Sequence, residues 1–217
     1  MALLPPGMLF VASDIDPSDE DDFNAWYDRE HIEERVRMDG VISAARYVSV
    51  EGHPKYLSLY WAESLSTFAS KAYTYAFQNQ TSWSTSVLKK MRSPTRRIGE
   101  VHASVGQGSG GWVATLPLKA STTLADLVEQ CRDLGERLSE SAGFVHSYLI
   151  MPSDELSRPL PLEDLSTRQM LPIFVIESRS DASNAASLNM AISELACTPE
   201  AAARYSLTWK LAAEELV

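Results

Sequence analysis

Apolar and polar positions alternate along this chain in a repeating order of short strands and longer helices. Met8 to Ile15 is a compact apolar run closed by Asp16-Pro17, which predicts a first strand. Ser18 then offers a capping hydroxyl, and Glu20, Asp21 and Asp22 place negative charge where a helix N-terminus favours it. The helix they open should run to about Met38 and stop at Gly40. Val41 to Val50 follows as a strand, Glu51 to Pro54 as a turn, and Lys55 to Ala62 as the next strand. Helical spacing resumes over Ser66 to Gln78 and Trp83 to Met91, and Arg96 to Val105 closes the set as a strand.

Gly106 to Gly111 is the glycine-rich stretch of the chain. A phosphate loop would need a helix after it and a framed glycine pattern; here a strand follows, so the segment reads as a linker. Beyond it the order restarts. Trp112 to Leu118 is a strand, Thr122 to Ser141 a helix and Gly143 to Met151 a strand; a polar, proline-bearing loop then runs to about Arg168. Strand Leu171 to Ser178, helix Ala182 to Ala196 and strand Tyr205 to Leu211 complete the chain. The fold class is α+β, with the βαββαβ order of the ferredoxin-like motif occurring twice. Residues 1–105 form the first expected unit, 106–111 the linker and 112–217 the second. Each unit leaves one sheet face bare, so the two are expected to pack sheet to sheet within the chain.

Bulk properties narrow the function. With 217 residues and 45% hydrophobic content the chain can build a sizeable core. A net charge of −10 argues against a general nucleic-acid binder, which needs a basic footprint. The basic cluster Lys89, Lys90, Arg92, Arg96 and Arg97 reads either as a solvated helix end or as an anion site. Cys131 and Cys197 show no metal-ligand spacing and read as small buried hydrophobes in a reducing compartment. The N-terminal segment lacks a positive n-region and no run approaches membrane-spanning length, so a cytoplasmic protein is expected. No His/Cys/Asp/Glu set has metal spacing, and neither a metal nor a cofactor is expected.

Chemistry concentrates on the first helix, in Phe23-Asn24-Ala25-Trp26-Tyr27-Asp28-Arg29-Glu30-His31-Ile32. Tyr27 and His31 are an i, i+4 pair on one helix face, with Glu30 beside them and Glu34 one turn on. Imidazole is the side chain whose ordinary pKa lies near neutrality, and a neighbouring carboxylate would raise it further. His31 is therefore the expected proton acceptor, Glu30 its orienting carboxylate and Tyr27 an oxyanion donor. The competing reading keeps His31 as a core imidazole bonded to a carbonyl. Arg46 on the second strand is an expected substrate contact, or else an ion-pair partner of Glu30 or Glu34, and Tyr47 points to the opposite face. Trp26 and Tyr60 are expected to line the substrate site, Trp26 with a packing role as well. Phe23 and Tyr27 share a face while Ile32 and Val36 lie nearly opposite, so the helix is either buried on two sides or bent near His31. The second half carries no equivalent cluster on its first helix.

The pattern F-x-x-W-Y-x-x-E-H-I, then Gly40-Val41 and Arg46-Tyr47, resembles the EthD-like branch of the dimeric α+β barrel superfamily over residues 7–100. Glu33 and Asp39 stand where prolines often occur in that branch. The resemblance implies a barrel formed by two sheets, here a pseudo-dimer within one chain, monomeric or further paired as a homodimer. It also implies a small-molecule partner, with no nucleic acid or membrane. Three activities follow as expectations. The first is a cofactor-independent acid–base enzyme (lyase, isomerase, dehydratase or cyclase) acting on a small aromatic or polyketide-like carbonyl compound. The second is a cofactor-free or haem-dependent oxygenase, with His102 or His146 as weak ligand candidates. The third is a non-catalytic small-molecule-binding protein.

Overall fold

In a computed structural model that describes residues 4–119 and 123–216, eight strands form one closed antiparallel barrel in the order β1-β3-β2-β8-β5-β7-β6-β4. The strands are β1 (Gly7–Asp14), β2 (Val41–Glu51), β3 (Tyr56–Ala62), β4 (Arg92–Gly106), β5 (Trp112–Pro117), β6 (Phe144–Pro152), β7 (Ile173–Ser178) and β8 (Ala203–Ala212). Helices lie outside it. In the first half these are α1 (Glu20–Trp26), a π-helical turn (Tyr27–His31), α2 (Ile32–Val36), α3 (Leu65–Ala69), α4 (Lys71–Gln78) and α5 (Ser82–Leu88). The second half carries α6 (Leu124–Ser139) and α7 (Asp181–Glu194). The expected start of α6 at Thr122 and the first three residues of the N-terminal segment lie outside the described residues.

This architecture corrects the expectation of two tandem ferredoxin-like units packed sheet to sheet. No pair of sheets stacks face to face. The halves instead meet edge to edge, through a β2–β8 ladder from Ser43↔Ala212 to Glu51↔Arg204 and a β4–β6 ladder from Gly99↔Pro152 to Gly106↔His146. The reason is backbone accounting. Two stacked sheets leave four edges of unpaired N–H and C=O groups, whereas closure satisfies them all. The barrel is then filled by its own inward side chains, Phe10, Tyr47, Leu57, Leu59, Val113, Tyr148, Val175 and Tyr205 among them.

Outward-facing positions carry two further apolar clusters. Leu9, Ala44, Tyr60 and Ile98 pack beneath α1, α2 and α4, while Ala114, Leu116, Phe174 and Ile176 pack beneath α6 and α7. Alternation along each strand thus serves both layers, since successive side chains face opposite sides. The expected helix 66–78 is broken at Ser70, whose extended backbone (φ −63°, ψ 154°) caps α4 through its hydroxyl to the Tyr73 N–H. Strand β4 begins at Arg92, four residues before the expected Arg96, which removes Arg96 and Arg97 from any solvated helix end and buries both. Among the described residues no helix is long and apolar enough to cross a membrane.

Residues 1–106 produced alone should fail to give a soluble monomer, because β2 and β4 would each present a full unpaired edge. Size-exclusion chromatography should show dimers or aggregates; a stable monomer with native-like circular dichroism would contradict the closure account.

Candidate functional site

The first helix bends where its apolar pattern breaks. Residues Tyr27–His31 wind as a π turn, and the N–H of Ile32 donates to the carbonyl of Tyr27, an i→i+5 bond. One extra residue per turn rotates everything beyond it by about one residue's worth of helix. That rotation brings Ile32 and Val36 onto the same core as Phe23, Trp26 and Tyr27, which resolves the mismatch in their spacing.

The π turn also decides what lies over His31. The Trp26 indole stacks on the imidazole at 4.2 Å between centroids and 29°, while Tyr27 meets it edge-on at 5.4 Å and 88°. Trp26 is fixed in turn by a 2.9 Å hydrogen bond from its Nε1 to Ser84 Oγ. Tyr60 stands edge-on to His31 at 6.5 Å.

Glu30 is not the partner of His31. Its carboxylate accepts from Thr81 Oγ1 at 2.6 Å and from Ser84 Oγ at 3.2 Å, tying the π turn to the start of α5. The expected rise in the His31 pKa is accordingly reversed. Burial pushes it well below the usual imidazole range, and the Arg35 and Arg46 guanidiniums push it the same way. His31 is half-buried as a residue, yet its Nδ1 is sealed from solvent and has no hydrogen-bond partner. Tyr60 Oη is likewise buried without a partner, and desolvation holds its phenol well above the usual range. Burial also raises the Tyr27 phenol, so both tyrosines are neutral donors at ordinary pH.

Arg46 is engaged, though not with Glu30 or Glu34. It donates to Asp28 Oδ1 at 2.7 Å and Asn24 Oδ1 at 2.9 Å, and its guanidinium lies over the Tyr27 ring at 4.2 Å. Asp28 also accepts from Trp209 Nε1 on β8 at 2.8 Å. Arg46 therefore braces Tyr27 from behind.

A cavity of about 30 Å³ opens beside His31, walled by Leu9, Val11, Tyr73, Met91 and Leu160 and bearing the polar groups of Tyr27, His31, Arg35, Gln80 and Arg96. Two further polar atoms here lack partners, Arg35 Nη1 and Gln80 Oε1. Arg35 escaped the sequence reading although it repeats the i, i+4 step from His31. Gln80 carries no local signal, and Arg96 stood out only within the basic cluster 89–97, because their elements reach the cavity only through tertiary packing. Leu160 comes from the loop between β6 and β7, so the second half supplies one wall. Outside the cavity, Phe77, Gln80, Leu88 and Leu160 also line a surface groove of about 360 Å³.

His31, His102 and His146 do not suit a haem. The His31 cavity has room for about one or two waters. The Nε2 of His146 is 2.8 Å from Ser104 Oγ with its ring stacked on Trp61, and His102 Nε2 lies 3.3 Å from Glu100. Among the described residues no group of three or more His, Cys, Asp or Glu side chains could hold a metal ion.

No family model matches this chain, and no curated protein sequence does. Solved structures do. An anthrone oxidase-like protein superposes with a TM-score of 0.68 at 14% identity, over 98% of this chain and 95% of the other. A candidate monooxygenase from Fusobacterium nucleatum gives 0.61 at 9% identity, over 97% and 96%. A mutant chlorite dismutase from Candidatus Nitrospira defluvii, solved with cyanide, gives 0.55 at 8% identity, over 94% and 91%. At such identities the likeness is one of fold alone.

The lowered His31 pKa has a consequence for stability. The unfolded chain binds a proton near pH 6.5 while the folded site resists it, so stability is complete above that pH and declines as pH falls through it. His146, also lowered by burial, acts in the same sense. Replacing His31 by Gln should flatten the fall in Tm below about pH 6.5, leaving the His146 share. Equal acid-side slopes in wild type and H31Q would contradict the buried, neutral imidazole.

Proposed function

We propose that the chain is a cofactor-independent enzyme that removes a proton from a small aromatic carbonyl compound or phenol, with His31 as the acceptor. The observation that carries this reading is the bare Nδ1 of His31, solvent-sealed and without a hydrogen bond, at the wall of a cavity. A histidine serving only the core would have its ring nitrogens paired. Stacking on Trp26 and the edge of Tyr27 fix the ring plane, so little reorganisation is needed for proton transfer.

A base with so low a pKa is weak in the empty site. It gains strength when an anion forms next to it, because the new negative charge favours the imidazolium. Proton transfer therefore yields an ion pair in a low-dielectric pocket, with the enolate or phenolate further stabilised by Arg35 and by the neutral phenol of Tyr27, whereas Tyr60 does not line the cavity. Glu30 positions the π turn from behind, and Arg46 positions Tyr27. Trp26 fixes the imidazole plane. An enolate handled in this way is the common intermediate of isomerase, lyase, dehydratase and cyclase chemistry. The EthD-like character of residues 23–47 supports the same site.

A cofactor-free oxygenase is the second reading, supported by the names of the anthrone oxidase-like and monooxygenase structures that share the fold. The anion would add dioxygen to give a peroxide, which takes back the proton held by His31. Loss of water then leaves a new carbonyl, so CH₂ and O₂ become C=O and H₂O. A cavity of about 30 Å³ beside His31 is large enough for a diatomic gas.

Deuterium wash-in separates deprotonation from whatever follows it. With 2-tetralone, a benzo-fused ketone whose benzylic CH₂ next to the carbonyl is acidic, exchange in D₂O should fall by about 10²–10⁴-fold in His31→Ala. Oxygen uptake with electron-rich phenols should fall in parallel if the second reading holds. Exchange at the wild-type rate in His31→Ala would overturn the assignment.

A further inference from the structure

Arg35 is a buried cation with nothing to neutralise it. The residue is 5% exposed, its Nη1 is sealed without a hydrogen-bond partner, and its guanidinium lies over the Tyr73 ring at 6.0 Å from the centroid. Every other buried arginine among the described residues is answered. Arg46 has Asp28 and Asn24, Arg97 has Glu163, and Arg204 has Glu51 and Asp181. Arg96 donates to the carbonyls of Leu156 and Arg158 and to Tyr73 Oη, partners that hold it in place but leave its charge uncancelled. Arg35 and Arg96 both line the His31 cavity, and no carboxylate does. Glu34 is next in sequence to Arg35 and contributes to its field, yet the two form no ion pair.

A buried guanidinium nitrogen with no partner is costly to keep, so such a group persists where a ligand completes it. We infer that Arg35, with Arg96 behind it, is the anion-binding subsite of the His31 cavity, and that the molecule it receives is a small aryl monoanion such as a carboxylate or phenolate. The inference rests on the reading of this cavity as a ligand site, though not on His31 moving a proton.

The shape of the site assigns the two ends of that molecule. About 30 Å³ accommodates a charged head group and no ring. The neighbouring groove of about 360 Å³ is walled by Phe77, Leu88, Pro159, Leu160 and Pro161, a surface suited to a flat apolar ring. Phe77, Gln80, Leu88 and Leu160 belong to both spaces, so the bond joining ring to head group crosses between them. Gln80 Oε1, sealed and unpaired at this boundary, is free to accept from a hydroxyl next to the anion. Leu160, which lines both spaces, thereby sets how closely a ring in the groove can approach the cavity.

Benzoate, acetate and the uncharged benzamide test this with the full-length protein, by calorimetry and thermal shift. Benzoate should bind and raise Tm, acetate should bind more weakly, and benzamide should do neither. Arg35→Met should weaken benzoate at least tenfold while the free variant keeps or gains Tm, since a buried unpaired charge is gone. Leu160→Trp should lose benzoate but not acetate. His31→Gln should keep benzoate within a few-fold, so proton transfer can fail without the anion subsite failing. Equal binding of benzoate and benzamide, undiminished binding in Arg35→Met, a lower Tm in that free variant, or no benzoate binding at millimolar concentration would each overturn the inference.

Discussion

Everything in this molecule depends on the hydrogen-bonded closure of its sheet. The β2–β8 and β4–β6 ladders turn what could be two open sheets into one cylinder with no free edge. Closure fixes which side chains face inward and which face the helices, and the candidate site is built on the outward set. The candidate site accordingly lies between the outer surface of the barrel and its helices. There, strand residues such as Leu9 and Val11 form the floor and α2, α4 and the β6–β7 loop form the walls.

Within that frame the π turn does the local work. A regular helix would place Tyr27 over His31 and leave Ile32 and Val36 facing away from the core. The one-residue insertion satisfies the core and, as a by-product of the same rotation, lays Trp26 on the imidazole instead. The turn is held in that state from outside, by Glu30 on the α5 hydroxyls and by Asp28 and Asn24 on Arg46. Two carboxylates adjacent to the supposed active residue thus act as anchors for the backbone. This is why the imidazole is left with cations, not anions, for neighbours.

Most strands and helices could be read from the chain because their signals are local: apolar runs bounded by Asp-Pro, Gly40, Gly143 and the glycine-rich 106–111. The choice of edges was not legible. Nothing in the side chains of Val41 to Glu51 states whether their backbone will pair with residues 203–212 or face solvent. The π turn was visible only as a mismatch between Tyr27 and Ile32, since no residue type marks it. Tyr27 and His31 stood out by composition, and Arg35 was available from the same spacing. The partners of Glu30 and Arg46 were not, for Thr81, Ser84 and Asp28 come near only through tertiary packing and helix winding.

Strand β8 carries a consequence for how the molecule is made. It is the last strand among the described residues, yet it lies between β2 and β5, and Thr208 reaches Arg46 across 162 residues of sequence. The barrel cannot close while its last strand is still inside the ribosome's exit tunnel. Until then the emerging chain carries two exposed edges and a half-built cavity, waiting on a contact of very long range. Such contacts are slow to form and leave intermediates open to association. The bond from Trp209 to Asp28, which steadies the π turn, means that the candidate site is completed only once β8 is in place.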